Sequence, residues 1–142
     1  MRRGGEKHLK PRYVIDTGPL LLYFAGNEQV RQLIRDAASG LNDSYTCDLN
    51  LAELHYKTCE TFGREVADIR YTSLRNSGIT VLSTDDRLTR SAAILKCAHR
   101  GKMSLADAYY LALAQRLRGT LVTTDHMLRD LGLVNTQLIK IS

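Results

Sequence analysis

The fold class that this sequence predicts is α/β, built on a parallel sheet. Short β-branched or apolar runs alternate five times with segments of helical spacing. That order is the signature of parallel strands joined by right-handed crossovers. The length, 142 residues, suits one compact domain with a single core. A composition that is 44% hydrophobic and 25% charged is ordinary for a soluble globular chain. The longest apolar runs, such as TGPLLLYFAG, are too short to span a bilayer, so no membrane is expected as a partner.

Residues 1–11 read as a flexible basic extension without periodicity, and residues 12–142 as the folded domain. Arg2, Arg3, Lys7 and Lys10 lie in the extension, with Arg12 just beyond Pro11. This start is charged and has no apolar stretch behind it, so it is not expected to be a secretory signal. Pro11 biases Lys10 toward extended backbone and leads into a first strand, YVID. LLLYFAG follows as a short helix, with Pro19 tolerated in its first turn.

NEQVRQLIRDAAS carries Val30, Leu33, Ile34 and Ala37 at helical spacing, and Ser39-Gly40 marks its exit. SYTCD is a short strand. LNLAELHYKTCETF and REVADIRYTSLRN are helices, the second with Val66, Ile69 and Leu74 in register. ITVLS is the third strand. The helix after it takes Thr84 as its N-cap, with two acids in its first turn. SLADAYYLALAQRLR is the strongest helix, closed by Gly119. TLVTT, the turn HMLRDLG and a final strand TQLIKIS complete the chain.

The formal charge of +5 is a moderate signal for a polyanionic partner. Cys47, Cys59 and Cys97 are odd in number and form no zinc pattern. They are expected to be buried or half-buried thiols in a reducing cytoplasm. The four histidines are dispersed, and none forms a metal-binding pair.

Four acids stand at the edges of apolar segments: Asp16, Glu53, Asp107 and Asp125. Each has a modest structural explanation. Asp16 suits a turn or helix cap before Gly18-Pro19. Glu53 lies three residues after Asn50, and Asp107 three after Ser104, both at capping-box spacing. Asp125 could cap the turn after its strand. Asp107 is the least ordinary, because it shares a helical face with Leu111 and Ala114.

Together the four weigh differently. Two end strands, two lie in first helical turns, and all fall on the carboxyl side of one parallel sheet, where such folds bind ligands. A pair of carboxylates about 5 Å apart repels by roughly 3 kcal/mol at an effective dielectric near 20. Such a cluster is poor structure without cations, and oxygen donors without histidine suit Mg²⁺ or Mn²⁺. Thr123 is placed to hold one strand-end aspartate by its hydroxyl.

VIDTGPLLL, LAEL, SLADAYYLALA and LVTTD together resemble the PIN domain, and within it the small VapC-like toxin ribonucleases. The likeness runs from about Tyr13 to the C-terminus. It implies a three-layer α/β/α domain with a five-stranded parallel sheet and an acidic pocket for one or two divalent cations. By motif position, Asp16, Glu53, Asp107 and Asp125 carry over as the catalytic and metal-binding acids, supported by Thr17 and Thr123. The resemblance implies metal-assisted hydrolysis of RNA with Mg²⁺ or Mn²⁺ as cofactor and a cognate antitoxin as partner. A homodimer is expected from the resemblance together with the apolar LLLYFAG segment and the helix after Asn27, which are expected to leave Leu22, Tyr23 and Phe24 partly uncovered.

Where many relatives follow the T-x-D motif with a basic and an aromatic residue, His126, Met127 and Leu128 stand here. Two other readings stay inside the fold: an RNA-processing nuclease that is not a toxin, and a catalytically weak module binding RNA or an antitoxin. A haloacid-dehalogenase-type phosphatase needs a second aspartate where Gly18 stands.

Overall fold

A computed structural model describes residues 9–141. Residues 1–8 of the expected basic extension, and Ser142, lie outside the described residues. Five strands form one sheet: β1 (Arg12–Ile15), β2 (Asp43–Cys47), β3 (Thr80–Leu82), β4 (Thr120–Thr123) and β5 (Thr136–Leu138). Seven helices connect them: α1 (Thr17–Phe24), α2 (Glu28–Ala38), α3 (Asp48–Phe62), α4 (Arg64–Arg75), α5 (Asp86–Ala98), α6 (Leu105–Leu117) and α7 (His126–Leu131).

Every strand pair is parallel, in the order β3-β2-β1-β4-β5. The chain moves outward from β1 on one side through β2 and β3, then returns to its other side with β4 and β5. The strand order therefore reverses between β1 and β4, where an open parallel sheet leaves a crevice at its carboxyl edge. The backbone of Asp16 closes that junction, its N–H donating to Val122 O at 2.9 Å.

Alternation along the two central strands divides the core. Val14 and Leu121 face the layer containing Leu88, Leu111 and Leu128, from α5, α6 and α7. Ile15 and Val122 face the layer containing Leu20, Ile34, Leu51 and Leu74, from α1 to α4. Helices thus cover both faces of the sheet, as the sequence predicts. In α2, Val30, Leu33 and Ile34 are buried as their spacing requires.

Several local expectations are corrected. Asn50 is not the N-cap of α3. That helix starts a turn earlier, with Cys47 as N-cap, and Asn50 Oδ1 accepts from the Cys47 N–H at 3.3 Å. Thr84 does not cap α5; Asp85 does, by accepting from the Leu88 N–H at 2.8 Å, while the Thr84 N–H is held by the Asp48 carboxylate. In α4 the buried residues are Ala67 and Leu74, whereas Ile69 is exposed. Arg70 takes the inner position instead, its guanidinium 5.3 Å from the Phe24 ring centroid and 4.7 Å from that of Phe62. Cys97 is exposed rather than buried, while Cys47 is buried and Cys59 half-buried. The final strand is shorter than expected, ending at Leu138.

The end of α6 also differs from the expectation. The left-handed position falls on Arg118, with φ 53°, and not on Gly119. Gly119 is needed for a different reason. A Cβ there would stand 3.0 Å from Arg12 O, a tight contact that the backbone of β1 would have to yield to by a few tenths of an ångström, so glycine lets the loop pass closest to β1.

Candidate active site

Asp16 is the residue around which the carboxyl edge is organised. It follows β1 directly and is the N-cap of α1, with its Oδ1 accepting from the Thr17 N–H at 2.7 Å. Its other oxygen, Oδ2, accepts from Thr123 Oγ1 at 2.8 Å. Thr123 is the last residue of β4 and fully buried, and its Oγ1 also accepts from the Asp125 N–H at 3.1 Å. One hydroxyl therefore ties the ends of the two central strands together.

Asp16 is only 8% exposed. Burial pushes its pKa up from 3.8 to about 7. Its two hydrogen bonds, from Thr123 and the Thr17 backbone, act in the opposite direction, and the negative charges of Asp107 and Glu53 push it further up. Three of the four expected acids thus share one electrostatic neighbourhood.

Glu53 enters from the second turn of α3. Its Oε1 accepts from Thr17 Oγ1 at 2.7 Å and from the Tyr110 hydroxyl. Lys57 Nζ lies 3.9 Å from its Oε2. The capping role open to Glu53 in the sequence is absent, because Asn50 occupies that position of the helix. Asp107 does make its capping box: its Oδ2 accepts from the Ser104 N–H at 3.0 Å, and Ser104 Oγ accepts from the Asp107 N–H at 3.0 Å. Leu111 and Ala114, on the same helical face, are fully buried.

Asp125 caps α7, its Oδ1 accepting from the Met127 N–H at 2.8 Å. The structure thus couples Asp125 to Asp16 through Thr123 and not by a direct carboxylate contact. Among the described residues, no group of three His, Cys, Asp or Glu side chains is already gathered as a metal cluster. In Asp107 and Asp125 one oxygen is committed to the residue's own helix end. The donors at this edge are nonetheless carboxylate and hydroxyl oxygens, a set that fits a hard divalent cation.

Comparison with known proteins bears on this geometry. The description "PIN domain" matches residues 13–133. The chain belongs to the PIN-domain family. Among solved structures, this PIN domain is similar to VapBC2 from Rickettsia felis bound to a DNA fragment from their promoter, with a TM-score of 0.71 at 16% identity, covering 89% of this chain and 98% of that one. It is similar to VapC20 from Mycobacterium tuberculosis, described as a sarcin-ricin loop cleaving toxin, with a TM-score of 0.68 at 20% identity over 86% and 96% of the two chains. It is also similar to DNA-bound VapBC from Salmonella typhimurium, with a TM-score of 0.72 at 14% identity over 89% and 97%. At these identities the likeness is one of fold. No curated protein matches by sequence.

Two residues of this PIN domain's site escape the motif pattern. Tyr110 is buried, lies 3.1 Å from Thr17 Oγ1 through its hydroxyl, and bonds to Glu53. Burial pushes its phenol well above the ordinary tyrosine range, and the bond to Glu53 acts the same way, so it stays a neutral donor. Asn50 Nδ2 donates to Thr17 Oγ1 at 3.2 Å. Tyr110 is detectable in principle, since it lies three residues after Asp107 and therefore beside it on α6.

The raised Asp16 pKa sets a pH dependence. Between pH 4 and 7 the folded carboxyl retains a proton that the unfolded chain releases, so stability falls as pH rises through this window. For chelator-treated protein, Asp16 should lower stability by about 3 kcal/mol between pH 5 and 8. Asp16→Asn should remove that component. Urea unfolding of both chains across the range measures it; parallel pH profiles would contradict the assignment.

Proposed function

We propose that this PIN domain is a Mg²⁺- or Mn²⁺-dependent endoribonuclease, and the toxin of a type II toxin–antitoxin pair acting in the cytoplasm. The observation that carries the reading is Asp16: a buried carboxylate, held by Thr123 at the β1–β4 crevice, under the charges of Glu53 and Asp107. A structural cap has no need of burial beside two like charges. A cation-binding carboxylate does.

Asp16, Glu53, Asp107 and Asp125 would hold the cation. When bound, it supplies positive charge to the scissile phosphate and makes water a better nucleophile at neutral pH. The protein's own part is positioning. Thr123 and the Thr17 N–H orient both Asp16 oxygens, while Thr17 and Tyr110 fix one oxygen of Glu53. Glu53 and Asp125 would also orient the attacking water. RNA is favoured as substrate by the basic charge and by the likeness to VapC20, and an antitoxin partner by the likeness to VapBC complexes.

A homodimer is part of the same proposal. Leu22, Tyr23 and Phe24 are half-buried, and the Tyr23 and Phe24 rings meet edge to face at 5.0 Å. Light scattering should give twice the chain mass at micromolar concentration; a monomer there would refute pairing.

The chemistry is tested by Asp16→Asn and Asp107→Asn. Asparagine keeps the shape and caps well, so the fold should stand, and stability without metal should hold or rise. Cleavage of a labelled RNA in Mg²⁺ or Mn²⁺ should fall by more than about 100-fold in each, the upper range for groups that merely support a metal site. Full activity in both variants, each with a native melting curve, would defeat the proposal.

A further inference from the structure

We propose that the cleft beyond the end of β5 is a nucleotide subsite, which takes the base next to the scissile phosphate against its apolar lining and the flanking phosphate on Lys140 and Arg129. The inference rests on the ribonuclease reading above. Its starting point is a cavity that the four acids do not line. It has a volume of about 430 Å³ and lies where the chain leaves β5. Leu138, Ile139 and Ile141 supply its apolar lining, and Thr124, His126, Arg129 and Lys140 its polar lining. None of these residues is acidic, although Asp125 stands between two of them in the chain.

Three features tie this cleft to Asp16. Thr124 lies between Thr123, whose hydroxyl holds Asp16, and Asp125, which caps α7. Its Cα is therefore about 3.8 Å from that of each neighbour. The Ile139 N–H donates to Thr123 O at 2.8 Å, so the chain carrying Lys140 and Ile141 departs from the same residue that holds Asp16. Gly18 leaves room for Thr124 at the start of α1. A Cβ there would stand 2.6 Å from Thr124 Oγ1, so one side chain of the cleft lies against the residue two places after Asp16. An RNA chain lying on the acidic edge has this cleft directly beside it.

The lining matches what an unpaired nucleotide offers. Its base has apolar faces and polar edges, and its phosphate carries a negative charge. Apolar walls with a few placed polar groups are the general form of a small-ligand site, for which volumes of roughly 300–1,000 Å³ are usual. Leu138 is half-buried and Ile141 is 65% exposed, so apolar surface is open to the cleft. The Thr124 hydroxyl and the His126 ring are groups that bond a base edge. Lys140 is exposed, and among the described residues it forms no ion pair. Arg129 pairs with Asp130 at 3.0 Å, but both side chains are well exposed, so the pair is weak and leaves the guanidinium able to meet a phosphate.

Structural uses account for only part of this set. Arg129, in the last turn of α7, complements the dipole of that helix. His126 stands at the first position of the same helix, where the dipole favours an acid over a base. Lys140 and Ile141 follow β5 and belong to no helix or strand. An exposed isoleucine is ordinary by itself. One that shares a cleft with a lysine and an arginine, beside an acidic site, is placed for a ligand that is apolar in one part and anionic in another. The charges also complement each other: the acids repel the phosphates of a polyanion, and positive charge next to them holds the phosphate that flanks the cut.

The test is binding of a fluorescent octanucleotide RNA to the full chain in chelator, followed by anisotropy across a salt series, for the wild type, Lys140→Gln and Ile141→Ser. Both positions are exposed and lie outside the strands and helices, so both variants should fold. Loss of one phosphate contact in Lys140→Gln should reduce the slope of log affinity against log salt by about 0.7, which is about fivefold in affinity near 0.1 M salt. Ile141→Ser should lose affinity severalfold with its salt slope unchanged. A single abasic nucleotide moved along the RNA should find one position at which Ile141→Ser costs nothing further. With Mn²⁺ present, the cut should fall at the phosphate next to that nucleotide, and both variants should raise KM while kcat holds. A wild-type salt slope in Lys140→Gln with wild-type affinity in Ile141→Ser would overturn the proposal, as would a cut away from the abasic-sensitive position. Unchanged RNA binding with weaker pairing to the antitoxin would overturn it in favour of a protein-docking cleft. The expected binding changes in a chain that cuts no RNA would uphold the nucleotide cleft and sink the nuclease reading instead.

Discussion

The hydrogen bond from Thr123 to Asp16 is the interaction on which the rest of this PIN domain's carboxyl edge depends. It joins the ends of the two central strands at the point where the strand order reverses. A neutral hydroxyl meeting a buried carboxylate gives only part of the stabilisation that water would, so Asp16 is kept at a cost visible in its pKa of about 7. The fold tolerates this because the sheet beneath is apolar on both faces and covered by helices. Rigidity there is what allows a poorly solvated acid to be held in one orientation.

Around that bond the site is a small polar network in an apolar frame. Thr17 connects Glu53, Tyr110 and Asn50, bringing α1, α3 and α6 to one hydroxyl. Each buried polar group here has a partner, which is what an interior network requires if it is to specify one arrangement. The capping bonds of Asp107 and Asp125 commit one oxygen each to their helix ends. An acid can therefore cap a helix and serve a site at once, and the two explanations offered by the sequence are not exclusive.

How much is legible in the sequence follows from which forces are local. The alternation of apolar runs with helices is enough to place five strands and their parallel direction, because periodicity is a property of neighbouring residues; the strand order is not legible there. Asp16 and Asp125 are visible as strand ends for the same reason. The start of α3 lies one turn away from its expected place, since an Asn-x-x-Glu spacing and a Cys-x-x-Asn spacing compete, and the one adopted also lets Asn50 Nδ2 donate to Ile15 O at the end of β1. Ile69 departs from its expected burial because Arg70, stacked on Phe24 and Phe62, takes the inner position through neighbours remote in sequence. Tyr110 can be placed beside Asp107 from the sequence, but not its role, which is set by Glu53, 57 residues away.

The central claim is that the buried Asp16 carboxylate exists to bind a divalent cation. Melting of the wild-type protein and Asp16→Asn, each titrated with Mn²⁺ and with Mg²⁺ near pH 8, tests it most directly and needs no substrate. At a cation concentration tenfold above its Kd, the wild-type melting temperature should rise by about 3–5 °C. Asp16→Asn should start higher without metal and should not move when metal is added. A wild-type curve unmoved by millimolar cation, or an equal rise in the variant, would contradict the account.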